Sequence, residues 1–175
     1  MLSWGTVAFM PLVHNLHTLH LVKHAGWTSF ISSPFILVLW ICFGLAMIFL
    51  NYDSDTQKHY VRAMEGKCLI WGQPCEAIRA RYTTADGKEH TSLLVLSGYS
   101  GISRHFHYAP DIVLLFMYCS PAGFDRILPF TYFFYLTSLL LDRCFRIDKR
   151  CHTKYGKYWE EYCRRVPYRL VPGVF

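Results

Sequence analysis

The C-terminal part of the chain combines positive charge with flat aromatic rings. Arg143 to Phe175 holds nine of the eighteen Lys and Arg residues, and Tyr155, Trp159 and Tyr162 lie among them. Cations hold phosphate groups and rings stack on a base, so this composition offers the recognition chemistry that a nucleotide needs. Arg can bind a 2′-phosphate through two hydrogen bonds, which favours NADPH over NADH. The alternative is a basic patch with an amphipathic helix on the cytoplasmic side of a membrane.

Lys58 and Arg62 form a second candidate site. They are four residues apart in the polar, predicted helical stretch Asp53–Lys67, so both project from one helical face. This pair can clamp an anion, or it can extend from a membrane edge toward water.

A third group of ionisable and hydroxyl side chains precedes the apolar run Ile112–Cys119. Its members are Arg104, His105, His107, Tyr108 and Asp111. Ionisable groups at membrane depth are costly, so this cluster is a candidate functional site. Arg104 can instead mark the cytoplasmic end of a helix.

Four histidines near the N-terminus share one helical face. His14, His17, His20 and His24 fall within an arc of about 120° at 100° per residue. They can ligate a metal, but the chain lacks the further paired histidines that di-iron membrane sites use. A polar stripe facing a cavity or neighbouring helices is the interpretation we favour.

The elements that position these groups are predicted to be membrane helices. The chain is 53% apolar, and Pro34–Tyr52 contains no charged residue or histidine over about the length that spans a bilayer. Leu2–Val22, Ile112–Cys119 and Ile127–Leu141 are the other apolar segments. We therefore predict an all-α, polytopic membrane protein with about four membrane helices, a cytosolic loop and a basic C-terminal tail.

The segment between the second and third apolar runs is predicted to be extended. Cys68–His90 contains the hairpin-turn dipeptide Asp86-Gly87, and Thr91–Leu96 returns to an apolar pattern. The seven cysteines form no CxxC pair, which is typical of free thiols in a reducing compartment.

The tail RCFRIDKRCHTKYGKYWEEYCRRVPYRLVPGVF (143–175) resembles the C-terminus of the sterol reductase family. KCLIWG (67–72), YTTADGK (82–88) and LSGYSGISRHFHY (96–108) resemble family segments in the same order. MPLVHNLHTLHLVKH (10–24) is similar to a family helix that carries Tyr or Gln at three of the histidine positions, which argues against a metal site. The resemblance implies a single membrane domain over residues 1–175, corresponding to the C-terminal, cofactor-binding part of a family protein, in the endoplasmic reticulum membrane.

The resemblance also implies a set of NADPH contacts. They fall on Lys58, Arg62, Val95, His107, Tyr108, Cys151, His152, Thr153, Lys154, Tyr155 and Tyr162. Two positions depart from the family: Ser100 replaces a usual Trp, and Ile147 replaces an acid, with Asp148 beside it as the candidate substitute.

The implied reaction adds a proton to a sterol double bond and a hydride from NADPH. Tyr108, His105 and Asp111 are candidate proton donors, or the donor lies outside this chain. RHF at 104–106 together with CLIWG favours reduction of the ring-B (C7–C8) double bond over ring-D or side-chain bonds. The expected partners are a sterol and membrane lipid, with no nucleic acid and no metal.

Two other interpretations stay open. One is a membrane methyltransferase of the isoprenylcysteine type, although Phe106 replaces the Pro of its Arg-His-Pro signature. The other is a non-catalytic membrane fragment that binds sterol or associates with other subunits.

Overall fold

The computed structural model describes residue 19 and residues 33–84, 86–124 and 127–173. Most of the described chain is helical, with two pairs of antiparallel strands. In chain order the elements are α1 (Pro34–Ala63), β1 (Leu69–Ile70), β2 (Gln73–Pro74), β3 (Ala77–Thr83), β4 (Glu89–Val95), α2 (Tyr99–Ile102), α3 (Tyr108–Cys119), α4 (Thr131–Tyr155) and α5 (Lys157–Arg165), with 3₁₀ turns at Ser120–Ala122 and Leu128–Phe130.

The chain divides into two compact units. The first consists of Met1–Ile48 and Asp111–Leu140, and the second of Phe49–Pro110 and Leu141–Phe175. The prediction of a single membrane domain stays a prediction.

Helix α1 is 30 residues long and carries the predicted membrane span. Pro34 suits a first helical position because its φ is fixed and it has no N–H to satisfy, and the Ser33 carbonyl accepts a hydrogen bond from the Leu37 N–H at 3.0 Å. Of the described helices, α1 alone is long and apolar enough to cross a bilayer.

The first unit holds a cluster of aromatic rings at the end of α3. The Phe116 ring lies 6.2 Å from that of Phe124, 6.1 Å from that of Phe130 and 5.8 Å from that of Phe133. Such offset and edge-on rings pack favourably in an apolar core.

The predicted hairpin is present in the second unit. β3 and β4 pair antiparallel from Ala77↔Val95 to Thr83↔Glu89. In the turn, the Gly87 N–H donates to the Thr84 carbonyl at 2.9 Å, and Gly87 has a φ of 74°, which glycine adopts without a Cβ clash.

The two faces of this hairpin form separate cores. On one face Ala80 and Leu94 pack with Trp159, Tyr162 and Val166 of the tail. Residues on the other face of a strand alternate with these, and Val95 packs there with Val61 of α1 and Ile70 of β1. The hairpin therefore ties α1 to the tail within this unit.

Three expectations need correction or lie outside the described residues. The all-α class is too narrow, since it omits the strand pairs. The helix predicted over Ile127–Leu141, with a continuation to Cys144 left open, begins at Thr131 and runs to Tyr155. It continues because the charged residues after Leu141 include good helix formers and no Gly or Pro until Gly156. The four-helix count is not confirmed: α3 has 12 residues, too few for a span, and the predicted helix Leu2–Val22 lies outside the described residues.

Candidate functional site

The second unit contains a cavity of about 330 Å³. Its walls come from α1, β4, the segment Ser100–Tyr108, α4 and α5. Its lining residues are Asp55, Lys58, His59, Arg62, Leu93, Leu94, Val95, Ser100, Arg104, His105, His107, Tyr108, Arg143, Ile147, Cys151, Tyr155, Trp159 and Tyr162.

Most of the sequence-predicted contacts line this cavity together. They are Lys58, Arg62, Val95, Ser100, His107, Tyr108, Cys151, Tyr155 and Tyr162. The other predicted contacts, Asp148, His152, Thr153 and Lys154, are not in the lining. Residues of α1, of β4, of the segment 100–108 and of the tail therefore line one cavity, although they are far apart in the chain.

Positive charge dominates the lining. It contains one carboxylate, that of Asp55, and four cationic side chains, those of Lys58, Arg62, Arg104 and Arg143. The Arg104 side chain exposes only 7% of its surface, and its buried Nε has no hydrogen-bond partner among the described residues. Buried polar groups are normally paired, so the wall suits an anionic or hydrogen-bond-accepting ligand.

Lys58 is held against a neutral histidine. Its Nζ lies 3.1 Å from Nδ1 of His107, while the Asn51 amide donates to the His107 carbonyl at 3.2 Å. Burial, followed by the Lys58 charge, lowers the pKa of His107 to about 4. An ammonium group only donates, so Nδ1 of His107 accepts and its Nε2 carries the proton.

Tyr108 is buried within a group of rings and charges. Its ring stacks on that of His105, with centroids 5.6 Å apart and planes at 10°, and lies 4.2 Å from that of His107. The Arg143 guanidinium carbon is 5.9 Å from the Tyr108 ring centroid. Asp111, the third candidate proton donor, belongs to the first unit.

Asp148 lies outside the lining and contacts two residues that belong to it, Arg104 and His105. Its carboxylate accepts from Arg169 Nε at 2.7 Å and lies 3.4 Å from His105 Nε2 and 3.6 Å from Arg104 Nη2. Burial alone raises the pKa of Asp148, but the hydrogen bonds from His105 and Arg169 and the Arg104 charge outweigh it and hold the pKa below its usual value. Ile147, next to Asp148 in the sequence, lines the cavity instead.

Backbone hydrogen bonds reinforce this arrangement. The Arg104 N–H donates to the Tyr168 carbonyl at 3.1 Å, and the His105 N–H donates to the Arg169 carbonyl at 2.9 Å. The Arg104 guanidinium also contacts Cys163. The C-terminal residues thus fix the position of Arg104 and His105.

The remaining tail contacts lie on the exterior. His152 pairs with Glu160 at 3.3 Å, and the Thr153 hydroxyl donates to the Lys149 carbonyl at 3.0 Å. Lys154 Nζ lies 3.8 Å from the Tyr82 ring centroid, a cation–π contact with the hairpin.

Ser100 replaces an expected aromatic wall. It is buried, and its carbonyl accepts a hydrogen bond from the Tyr162 hydroxyl at 3.4 Å. Trp159, which the sequence did not single out as a contact, lies 5.1 Å from Tyr162 ring to ring and lines the same cavity. Burial raises the pKa of Tyr162, so its hydroxyl stays protonated at neutral pH.

Further lining residues were missed as contacts by the sequence analysis. Asp55 and His59 share the three-to-four spacing of Lys58 and Arg62, which places all of them on one face of α1. Arg143 lies within the basic tail but carried no separate signal.

The described residues contain no group of three His, Cys, Asp or Glu side chains arranged to hold a metal. The histidine stripe at 14, 17, 20 and 24 lies outside the part of the chain that the structure describes.

In the comparisons with known proteins, the same group of proteins matches this chain over nearly its whole length. The sequence profile of the Ergosterol biosynthesis ERG4/ERG24 family matches residues 1–175. The chain is 42% identical to the 7-dehydrocholesterol reductase of Arabidopsis thaliana, covering 99% of this chain and 39% of that protein. For the 7-dehydrocholesterol reductase of Xenopus laevis the values are 40%, 99% and 36%, and for the Delta(14)-sterol reductase of Methylotuvimicrobium alcaliphilum 32%, 100% and 38%. The chain thus spans less than two fifths of the length of these relatives.

Proposed function

This chain belongs to the Ergosterol biosynthesis ERG4/ERG24 family of sterol reductases, and on that premise we propose that the gene product carrying it reduces a sterol double bond with NADPH in the endoplasmic reticulum membrane. We assign the reaction to the C7–C8 bond of ring B. Relatives named 7-dehydrocholesterol reductase are 42%, 40% and 37% identical, and relatives named Delta(14)-sterol reductase are 35% and 32% identical, which supports this assignment.

The cationic cavity is the observation that carries the cofactor proposal. A volume of about 330 Å³ lies at the lower end of ligand sites, so it suits part of a dinucleotide. Lys58, Arg62 and Arg143 would hold its phosphates, and the rings of Tyr155 and Trp159 would contact its flat groups. When bound, NADPH supplies the hydride of the reaction.

The residues behind and beside the cavity would perform two further tasks. Asp148 would orient Arg104 and His105 from outside the lining. A histidine with a pKa of about 4 is neutral at pH 7, so His107 would serve as an acceptor for Lys58 rather than as an acid. His105 and Tyr108 are then the ionisable candidates at this wall for protonating the sterol.

A sterol profile tests the assignment. The gene product would be expressed in cells that lack their own Δ7-reductase, and sterols would be measured by mass spectrometry after feeding a Δ7-sterol or a Δ14-sterol. We expect loss of the C7–C8 double bond. Selective loss of the C14–C15 bond would instead assign the Δ14 reaction, and no reduction of either would support a non-catalytic role.

A pair of lysine variants tests the site. Lys58→Ala removes a cavity cation, whereas Lys67→Ala removes an exposed cation just beyond α1 that is not in the lining. Loss of a charge-assisted hydrogen bond should raise the KM for NADPH about tenfold or more in the first variant only. Equal KM values in both variants would contradict the site.

A further inference from the structure

A second cavity, of about 480 Å³, lies in the same unit as the first. Its lining residues are Arg62, Glu65, Arg79, Thr91, Ser92 and Leu93. Arg62 and Leu93 line both cavities, so the two spaces adjoin.

The second cavity is lined by hydrogen-bond donors that the protein leaves available. Arg62 and Arg79 form no ion pair with a carboxylate in the described ranges; Arg79 makes one bond, from Nη2 to the Glu65 carbonyl at 3.4 Å. Thr91 shares one face of the hairpin with Arg79 and Leu93, and its hydroxyl makes no hydrogen bond to any described residue. Two guanidinium groups with this hydroxyl match the oxygens of a phosphate monoester.

We infer that this second cavity is a phosphate subsite, and we assign to it the 2′-phosphate of the dinucleotide whose other part occupies the first cavity. The assignment rests on the proposed function. The shared Arg62 supports it, because one ligand passing from the first cavity to the second must pass this side chain. Arg79 and Thr91 then select NADPH over NADH, and neither was among the contacts predicted from the sequence.

Glu65 provides a test of opposite sign. Its carboxylate is the one acidic group of the lining and repels a phosphate. Removing this charge with Glu65→Gln should strengthen phosphate binding, whereas removing Arg79 should weaken it.

The experiment compares two nucleotides that differ only in the 2′-phosphate. Adenosine 2′,5′-bisphosphate and adenosine 5′-monophosphate are titrated by calorimetry into the gene product in phosphatidylcholine nanodiscs. We expect the wild type to prefer the bisphosphate. Arg79→Gln should weaken bisphosphate binding about ten- to one-hundredfold and leave monophosphate binding unchanged.

Two further variants test whether weaker binding is caused by misfolding. Thr91→Val keeps the shape of the side chain and removes one donor, and it should weaken bisphosphate binding by a smaller factor. Arg164→Gln is the matched control, because Arg164 is an exposed arginine on α5 and lies outside both linings. It should bind both nucleotides like the wild type.

The outcomes separate the subsite from the proposed function. A wild-type preference for NADPH over NADH that survives Arg79→Gln and Thr91→Val overturns the subsite and leaves the function intact. A wild type that binds neither dinucleotide overturns both.

A third arm distinguishes the source of the phosphate. If nanodiscs containing phosphatidic acid block bisphosphate binding through Arg79 and the wild type shows no preference for NADPH, the subsite holds a lipid headgroup and the 2′-phosphate assignment fails. Unchanged bisphosphate binding in these nanodiscs supports the nucleotide.

Discussion

The neutral state of His107 gives the site a specific pH dependence. The unfolded chain titrates this group near its ordinary pKa of 6.5, whereas the folded pKa is about 4. Between these values the unfolded state binds a proton that the folded state does not, so falling pH destabilises the fold. At about 1.4 kcal/mol per pKa unit, the loss reaches at most about 3 kcal/mol near pH 4.

The measurement is thermal unfolding in detergent between pH 7.5 and 4.5. His107→Asn keeps an acceptor for Lys58 and should remove this part of the pH dependence. Lys58→Met should reduce the dependence without removing it, because burial rather than Lys58 is the larger cause. Parallel profiles for wild type and His107→Asn would contradict the role of His107.

Asp148 should contribute to stability far more than another acid on the same helix. Asp148→Asn leaves the largely buried Arg104 without its carboxylate, and breaking a buried pair typically costs about 3–5 kcal/mol. Asp142 pairs with Arg146 at 2.8 Å, but both side chains are more than 60% exposed. Asp142→Asn should therefore cost less than about 1 kcal/mol. Similar losses of unfolding free energy in the two variants would refute the role assigned to Asp148.

The sequence allowed us to predict many of the residues that line the site, but not the direction in which each side chain points. Lys58, Arg62 and Tyr162 were predicted as contacts and line one cavity. Asp148 was placed with them because it is next to Ile147, but neighbouring residues on a helix point about 100° apart. Which of the two faces the cavity depends on the rotation of α4, which its own sequence does not specify.

At the level of elements, Gly98 lies between β4 and α2, next to the Gln57 side chain of α1. Its φ is 65°, and a Cβ there would lie 2.1 Å from Oε1 of Gln57, the atom that accepts the Tyr99 N–H at 3.0 Å. Gly87 in the hairpin turn has a similar φ of 74°, with nothing within 4 Å of its Cβ position. The two glycines therefore separate backbone strain from the loss of an inter-element contact.

We expect Gly87→Ala to cost about 1 kcal/mol from strain alone. Gly98→Ala should cost about 1 kcal/mol more, because it also displaces the Gln57 amide from the Tyr99 N–H. Urea unfolding of both variants and of Gln57→Ala measures these differences. Equal costs for the two glycine variants would mean that the Gln57 contact contributes nothing.

Local signals determined which elements the sequence revealed. The Asp86-Gly87 turn marked the hairpin because it requires a glycine in a left-handed conformation. The length of α4 was missed because the charged residues that follow the apolar run were interpreted as a basic tail, although hydrogen bonding along a helix does not depend on the change from apolar to charged residues. Contacts between Ala80 and the tail join residues distant in sequence, and no local pattern encodes them.

At the level of the whole molecule, α1 should act as a membrane anchor for the cavity residues at its C-terminal end. The helix is 30 residues and about 45 Å long, so it exceeds a hydrocarbon core of about 30 Å and extends its charged end into the interface. Phe43 lies near the middle of the charge-free window, and a cation there opposes insertion by about 2.5–3.5 kcal/mol.

Phe43→Arg should therefore shift the gene product toward the carbonate-extractable fraction of microsomes. Thr56→Arg adds the same charge to the polar end of α1 and should remain in the membrane pellet. If both variants stay in the pellet and a glycosylation-site scan across α1 finds its two ends on the same side, α1 does not span the membrane.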